Sequence, residues 1–302
     1  MLTRAVQTYL SVRRATGFRL VKTGYHLRSF AAYSDAKGRH FVNSQTAIEW
    51  AQRVPSVQQR ARRLGDVIRF AKYLHAEDAR HEIPTTVFGS ERRRRRPPYI
   101  LSDEQICRLV QLAAQSRYRS LRCQTYSTLF ALLSCTGLRV SEAIRLRYDD
   151  ITPDGLVIRA TKFQKSRLVP LHATAQVALE RYLQKRRPYA PFDDHVFISL
   201  RRKPLLHSDV DTAFRTVAAK MGFPRGRGRR RPTPHSLRHA FAVRALQTCP
   251  DGRDHITRHM LMLSTYLGHC KVADTYWYLE AVPALMCSIA ERAEAYLTGG
   301  MS

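Results

Sequence analysis

Acidic residues are scarce in this chain, and other absences narrow the possibilities further. Nowhere do about 18 apolar residues run together, so no transmembrane helix is expected. The opening MLTRAVQTYLSVRRATG is amphipathic, with neither an apolar signal core nor a cleavage site, so no export leader is expected. Six cysteines stand at 107, 123, 135, 249, 270 and 287, and no two form a Cys-x-x-Cys pair. A disulfide framework or a zinc ribbon is therefore not expected, and the thiols fit a cytoplasmic protein. Cys123 and Cys135 lie in apolar segments and read as small core residues.

What is abundant is positive charge. Lys and Arg number 51 against 24 Asp and Glu, a net charge of +27 and a pI near 10.6. Arginine predominates, and its planar fork suits bidentate recognition of phosphate oxygens. An excess this large repels itself unless a polyanion neutralises it. Nucleic acid is favoured as that partner over an anionic membrane surface. The hydrophobic fraction, 44%, is sufficient for real cores, and 302 residues suit two domains.

The expected fold is mostly α, with a small β-hairpin in the second domain (α+β). Residues 1–88 read as a bundle of about four helices. Val57, Ala61, Leu64, Ile68 and Ala71 make a stripe at helical spacing behind a Pro55-Ser56 start, with Arg60 and Arg63 on faces left for phosphates. FGSERRRRRPPYILSDEQ then breaks the pattern. Arg92, Arg93, Arg94, Arg95 and Arg96, followed by two prolines, read as a basic linker over 89–101, either a solvated tether or a strap across a phosphate backbone. Ser102 and Gln105 form a capping box that opens the second domain, 102–302. There, GLVIRATKFQKSRLVPLH predicts a hairpin, Leu156–Ile158 and Leu168–Leu171 around a turn bearing Lys162 and Lys165. Helices are expected near 173–187, 207–221, 235–247, 254–268 and 283–298.

Three segments carry chemistry. In LFALLSCTGLRVSEAIRLRYDDI an apolar helix stops at Gly137, and Arg139 falls at the junction with the next helix. Such an arginine either caps the preceding carbonyls or serves a reaction. In TPHSLRHAFAVRAL, His235 and Arg238 share one helical face. His235 and His239, like His255 and His259, also have the spacing of paired zinc ligands, but no glutamate or third ligand accompanies them, so no metal site is expected. Phosphoryl transfer without a metal needs guanidiniums for the non-bridging oxygens, a proton donor and a nucleophile. Arg139, Arg238, His235, His269, the hairpin lysines and a tyrosine could supply these parts.

These residues resemble the tyrosine recombinases, or phage integrase family, and within it the Xer-like site-specific enzymes. TGLRVSEAIRL is similar to the first family box, HSLRHAFA to the second, and LGH followed by Thr275-x-x-Tyr278 to the third. The resemblance implies that Arg139 and Arg238 are the paired catalytic arginines, with Lys162 the hairpin lysine, His235 and His269 the two histidines, and Glu142 a supporting acid. It implies an enzyme that cuts and rejoins DNA through a 3′-phosphotyrosyl bond, without ATP, metal or cofactor, as a C-shaped clamp on duplex sites. Four protomers on two sites are implied, with sister recombinases possible and a nucleoid-associated location. The chain departs from the family at Thr161-Lys162-Phe163, where Gly-Lys-Gly is usual, in the basic RGRGRRRP before the second box, and at Leu279-Glu280 after the tyrosine. Two rival classes share this chemistry or this ancestry: a type IB topoisomerase-like enzyme and a non-catalytic DNA-binding relative.

Three tyrosines compete for the nucleophile. Tyr266 lies in the helix before Leu-Gly-His and should be packed. Val272, Tyr276, Leu279 and Pro283 make a stripe that turns Tyr276 to the core. Tyr278 sits about 200° away from Tyr276, beside Asp274 and Thr275. Phase and resemblance both select Tyr278, on the side away from the core.

Overall fold

The computed structural model describes residues 2–89, 98–115, 121–159, 166–223, 231–248, 253–268 and positions 274, 275 and 278. Within them the chain is helical apart from one small antiparallel sheet, and it divides into two compact units, 1–95 and 96–302.

The first unit is a four-helix bundle: α1 (Leu2–Ala15), α2 (Val21–Ala36), α3 (Ser44–Gln52) and α4 (Val57–His75). Local chemistry sets the helix starts. The Ser56 side chain accepts from the Gln59 N–H at the head of α4, and Asn43 does the same for Thr46 at the head of α3. Leu27, Phe30, Trp50, Leu64, Val67 and Phe70 bury the apolar stripes against one another. Asp66 is buried among them and holds Thr23, His26 and Arg69. The face that Arg60 and Arg63 were expected to offer to phosphates is partly committed inward. Arg60 donates its Nε to the Val54 carbonyl at 2.7 Å, and Arg63 stacks its guanidinium 3.9 Å above Trp50.

The second unit opens with α5 (Asp103–Ala114), capped reciprocally by Ser102 and Gln105 as the sequence predicts. α6 (Leu121–Thr136) is central. Leu129, Phe130, Leu132 and Leu133 are all buried because α5, α8 (Ala173–Arg186) and α10 (Pro234–Gln247) pack around it. The one-turn α7 (Val140–Ala143) follows. Next come β1 (Ile151–Thr152), β2 (Gly155–Ile158) and β3 (Arg167–Val169), paired in that order, with Ile158 opposite Arg167. The hairpin is as expected, with an extra short strand, and Pro170 follows the last paired residue. α9 (His207–Lys220) and α11 (Arg253–Leu267) complete the described elements close to their expected spans. Cys123 is half-buried and Cys135 exposed, so neither is the core residue its apolar neighbours suggested; on a helix, the neighbours of a buried residue face elsewhere. Among the described residues no helix is long and apolar enough to cross a membrane. The linker arginines Arg92 to Arg96, most of the basic insert before α10 and the expected helix at 283–298 lie outside the described residues.

Candidate active site

The site is assembled where α6, α10 and α11 end or begin. Gly137 terminates α6 in the left-handed region, φ +62°, and a Cβ there would sit 2.4 Å from the Phe241 ring. Only glycine lets the chain turn this tightly against α10. Two residues on, Arg139 occupies the N-cap of α7. The Glu142 carboxylate accepts the Arg139 backbone N–H at 2.9 Å and its Nη1 at 2.7 Å. One acid thus caps the helix turn and orients the guanidinium. The Arg139 Nη2 donates to the Gly268 carbonyl at 2.9 Å.

Arg238 enters from α10, whose first turn begins at Pro234. Its side chain is only 2% exposed. Nη1 and Nη2 donate to the carbonyls of Gly137 and Leu267, both at 2.6 Å. The carbonyl that Arg139 takes lies beyond α11 and not on the helix before it, whereas Arg238 bonds the chain just past α6 and the end of α11. Desolvation, then the neighbouring Arg139, push the Arg238 pKa down to about 10, and Arg167 adds to the repulsion. Among the described residues three guanidiniums face one carboxylate here. An anion bound beside Arg139, still about one-third exposed, would relieve that excess.

Arg167 is the residue that sequence reasoning missed. From the start of β3 it donates to Glu142 through Nη1 at 3.1 Å and Nη2 at 2.8 Å. Burial alone would raise the Glu142 carboxyl, but the bonds from Arg167 and Arg139 outweigh it and hold it down to about 2.

Tyr278 lies against this cluster. It is 2% exposed and packs with Val243, Leu246, Met260, Leu263 and Leu267. Burial raises the hydroxyl's pKa, and the Arg238 and Arg139 charges partly offset that. The hydroxyl lies 3.3 Å from the His239 Nδ1. This corrects the expected phase, since Tyr278 and Thr275 are both buried. The stripe took no account of the apolar wall that α10 and α11 supply on the tyrosine's side. Tyr276 lies outside the described residues. Tyr266 is packed as expected, stacked on Phe241 with its hydroxyl pushed up to about 12 by burial.

His235 and His239 meet edge to face with ring centroids 4.4 Å apart, and His259 Nε2 lies 2.6 Å from the Ala245 carbonyl. His235 stands exposed at the rim. Desolvation by the surrounding walls, then Arg238 and Arg139, push it down to about 4; since the ring still meets solvent, the two cations are the firmer cause, and the imidazole is neutral at neutral pH. The structure thus brings together Arg139, Glu142, Arg238, His235 and Tyr278. Lys162, Lys165 and His269 lie outside the described residues; in the sequence Arg167 follows Lys165 by two positions and Gly268 immediately precedes His269.

The phage integrase family model matches residues 100–283, more than half of the chain. This chain belongs to the phage integrase family. A putative integrase/recombinase, y4rB, of Sinorhizobium fredii (strain NBRC 101917 / NGR234) is 38% identical over 96% of both chains. The tyrosine recombinase XerD of Proteus mirabilis is 32% identical over 72% of this chain and 66% of its own. Among solved structures the XerA recombinase covers 97% of both chains with a TM-score of 0.54 and 22% identity. XerH bound to its difH substrate covers 91% of this chain and 81% of its own, with a TM-score of 0.66 and 17% identity. These likenesses show the recombinase fold, and with the sequence relatives they make the chain a tyrosine-type site-specific recombinase.

Proposed function

We propose that this recombinase cuts and rejoins duplex DNA through a covalent 3′-phosphotyrosyl bond to Tyr278. One observation carries the reading: the buried Tyr278 hydroxyl lies 3.3 Å from the His239 Nδ1, one residue on from Arg238 in α10, and the Arg238 and Arg139 charges act on it. A scissile phosphate placed there would have its non-bridging oxygens between two cations and a phenol beside it. The phenol oxygen attacks phosphorus as the 5′-oxygen leaves. The phenolic proton passes to His239, its direct neighbour, which His235 meets edge to face. Lys162 protonates the leaving 5′-oxygen, and His269 braces the phosphate. The phosphotyrosine conserves the bond's free energy, so the 5′-hydroxyl of a second strand reseals it without ATP.

The solved XerH complex contains its difH substrate, and the Tn1549 integrase was solved with a circular intermediate DNA. Those complexes, with the +27 charge, support duplex DNA sites as the partner here; four protomers across two sites are the assembly that the family resemblance implies. Glu142 holds Arg139 and Arg167 together. The test is strand exchange between two DNA sites, located by footprinting, in excess chelator. Recombinant products are expected. Resealing of single duplexes without exchange would favour the topoisomerase-like reading, and loss of cleavage with binding retained would refute the metal-independent one.

A further inference from the structure

We propose that Arg167 is a positioning residue for strand cleavage, clamping Glu142 so that Arg139 is held in place for the scissile phosphate. The inference rests on the reading above, because it concerns how that site is held. Its basis is the geometry of one fork. Both terminal nitrogens of Arg167 bond the two Glu142 oxygens, at 3.1 and 2.8 Å, while the same carboxylate takes the Arg139 backbone N–H and Nη1. Glu142 has a side chain only 8% exposed, so it is a rigid joint between the two arginines and not a surface pair. The Nε of Arg167 is buried with no hydrogen-bond partner among the described residues, so the Glu142 fork alone fixes the side chain.

Two further contacts give the clamp its reach. Arg167 pairs across the sheet with Ile158, the last residue of β2, so it is the first residue held after the turn carrying Lys162. Gly268 lies at φ +65°, and a Cβ there would stand 3.0 Å from the Arg167 Nη1 and 3.6 Å from the Arg139 Nη1. Both guanidiniums therefore close on the residue that immediately precedes His269, and Arg139 also takes its carbonyl. One side chain ties the start of β3, the acid behind Arg139 and Gly268 into a single unit. A lysine could supply the charge at position 167 but not the two parallel bonds.

The test compares the intact wild-type protein with Arg167→Gln, Arg167→Lys, Glu142→Gln and the Arg167→Gln/Glu142→Gln double variant. Site-specific binding and the single-turnover rate of covalent attachment to a nicked site are both measured. Arg167→Gln is expected to slow attachment about 100-fold while the DNA dissociation constant changes less than about 3-fold, because misplacing a catalytic group acts on the chemical step. Arg167→Lys should recover only part of the rate, and it decides the matter if the glutamine variant does not fold. In the Glu142→Gln background the additional Arg167→Gln change should cost little, since the clamp acts through that acid. Wild-type attachment rates in Arg167→Gln and Arg167→Lys, a parallel loss of binding and rate, or an undiminished penalty in the double variant would each overturn the proposal. Failure of the parent reading looks different: the wild-type protein itself would give no covalent product that depends on Tyr278.

Discussion

His235 is the residue at which sequence and environment pull hardest against each other. A histidine ordinarily titrates near 6.5, yet partial desolvation of a ring that still meets solvent and, more firmly, the Arg238 and Arg139 charges lower it to about 4. With its folded value depressed, His235 stays neutral as pH falls through 6.5. Whatever stability this neutrality represents is full above 6.5 and is lost as pH falls toward about 4. An NMR titration of the ring should give a midpoint well below 6.5 in wild type, moving upward in Arg139→Gln as a repelling cation is removed. A wild-type midpoint near 6.5 would mean that the arginines do not crowd the imidazole. The residue types of the site were legible in the chain because each sits in a short motif: Arg139 with Glu142 three residues on, and His235 with Arg238 on one helical face. Arg167 was not legible. Its role depends on the pairing of β3 with Ile158 and on a carboxylate 25 residues away, neither of which leaves a local signal. His239 was visible only as half of a zinc spacing, whereas its contact with Tyr278 spans 39 residues.

At the scale of elements, the helix ends are the functional parts, and glycine makes two of them possible. Gly38 and Gly137 have nearly the same positive φ, +66° and +62°, but nothing lies within 4 Å of a Cβ at Gly38 while Phe241 lies 2.4 Å from one at Gly137. Gly38→Ala should cost only left-handed strain, about 1–2 kcal/mol. Gly137→Ala should cost about 1–3 kcal/mol more through overpacking against Phe241, and it should slow cleavage because the Gly137 carbonyl anchors Arg238. Urea unfolding of both variants checks this, and equal losses would show that Phe241 moves aside freely. The elements themselves were largely legible, since local rules write them. Ser102 with Gln105 caps α5, Ser56 caps α4, and the β-branched runs around the lysine turn pair as strands. The misreading of the Tyr278 face has the same origin. A stripe of apolar residues marks one face of a helix but cannot show that α10 and α11 build an apolar wall around Tyr278.

At the scale of the whole molecule, a bundle and a catalytic unit share an excess of positive charge, and the family match falls on the second unit. That unit carries the described reacting groups, so the account stands or falls on one covalent bond. The direct measurement uses a nicked DNA site labelled on the strand whose 3′-phosphate would join the protein, with products resolved on a denaturing gel. Removing a single hydroxyl by Tyr278→Phe deletes the nucleophile and leaves the ring to fill its place among Val243, Leu246 and Leu267. Wild type and Tyr276→Phe should give the shifted band, while Tyr278→Phe should bind the site and give none. A shifted band from Tyr278→Phe would contradict the account.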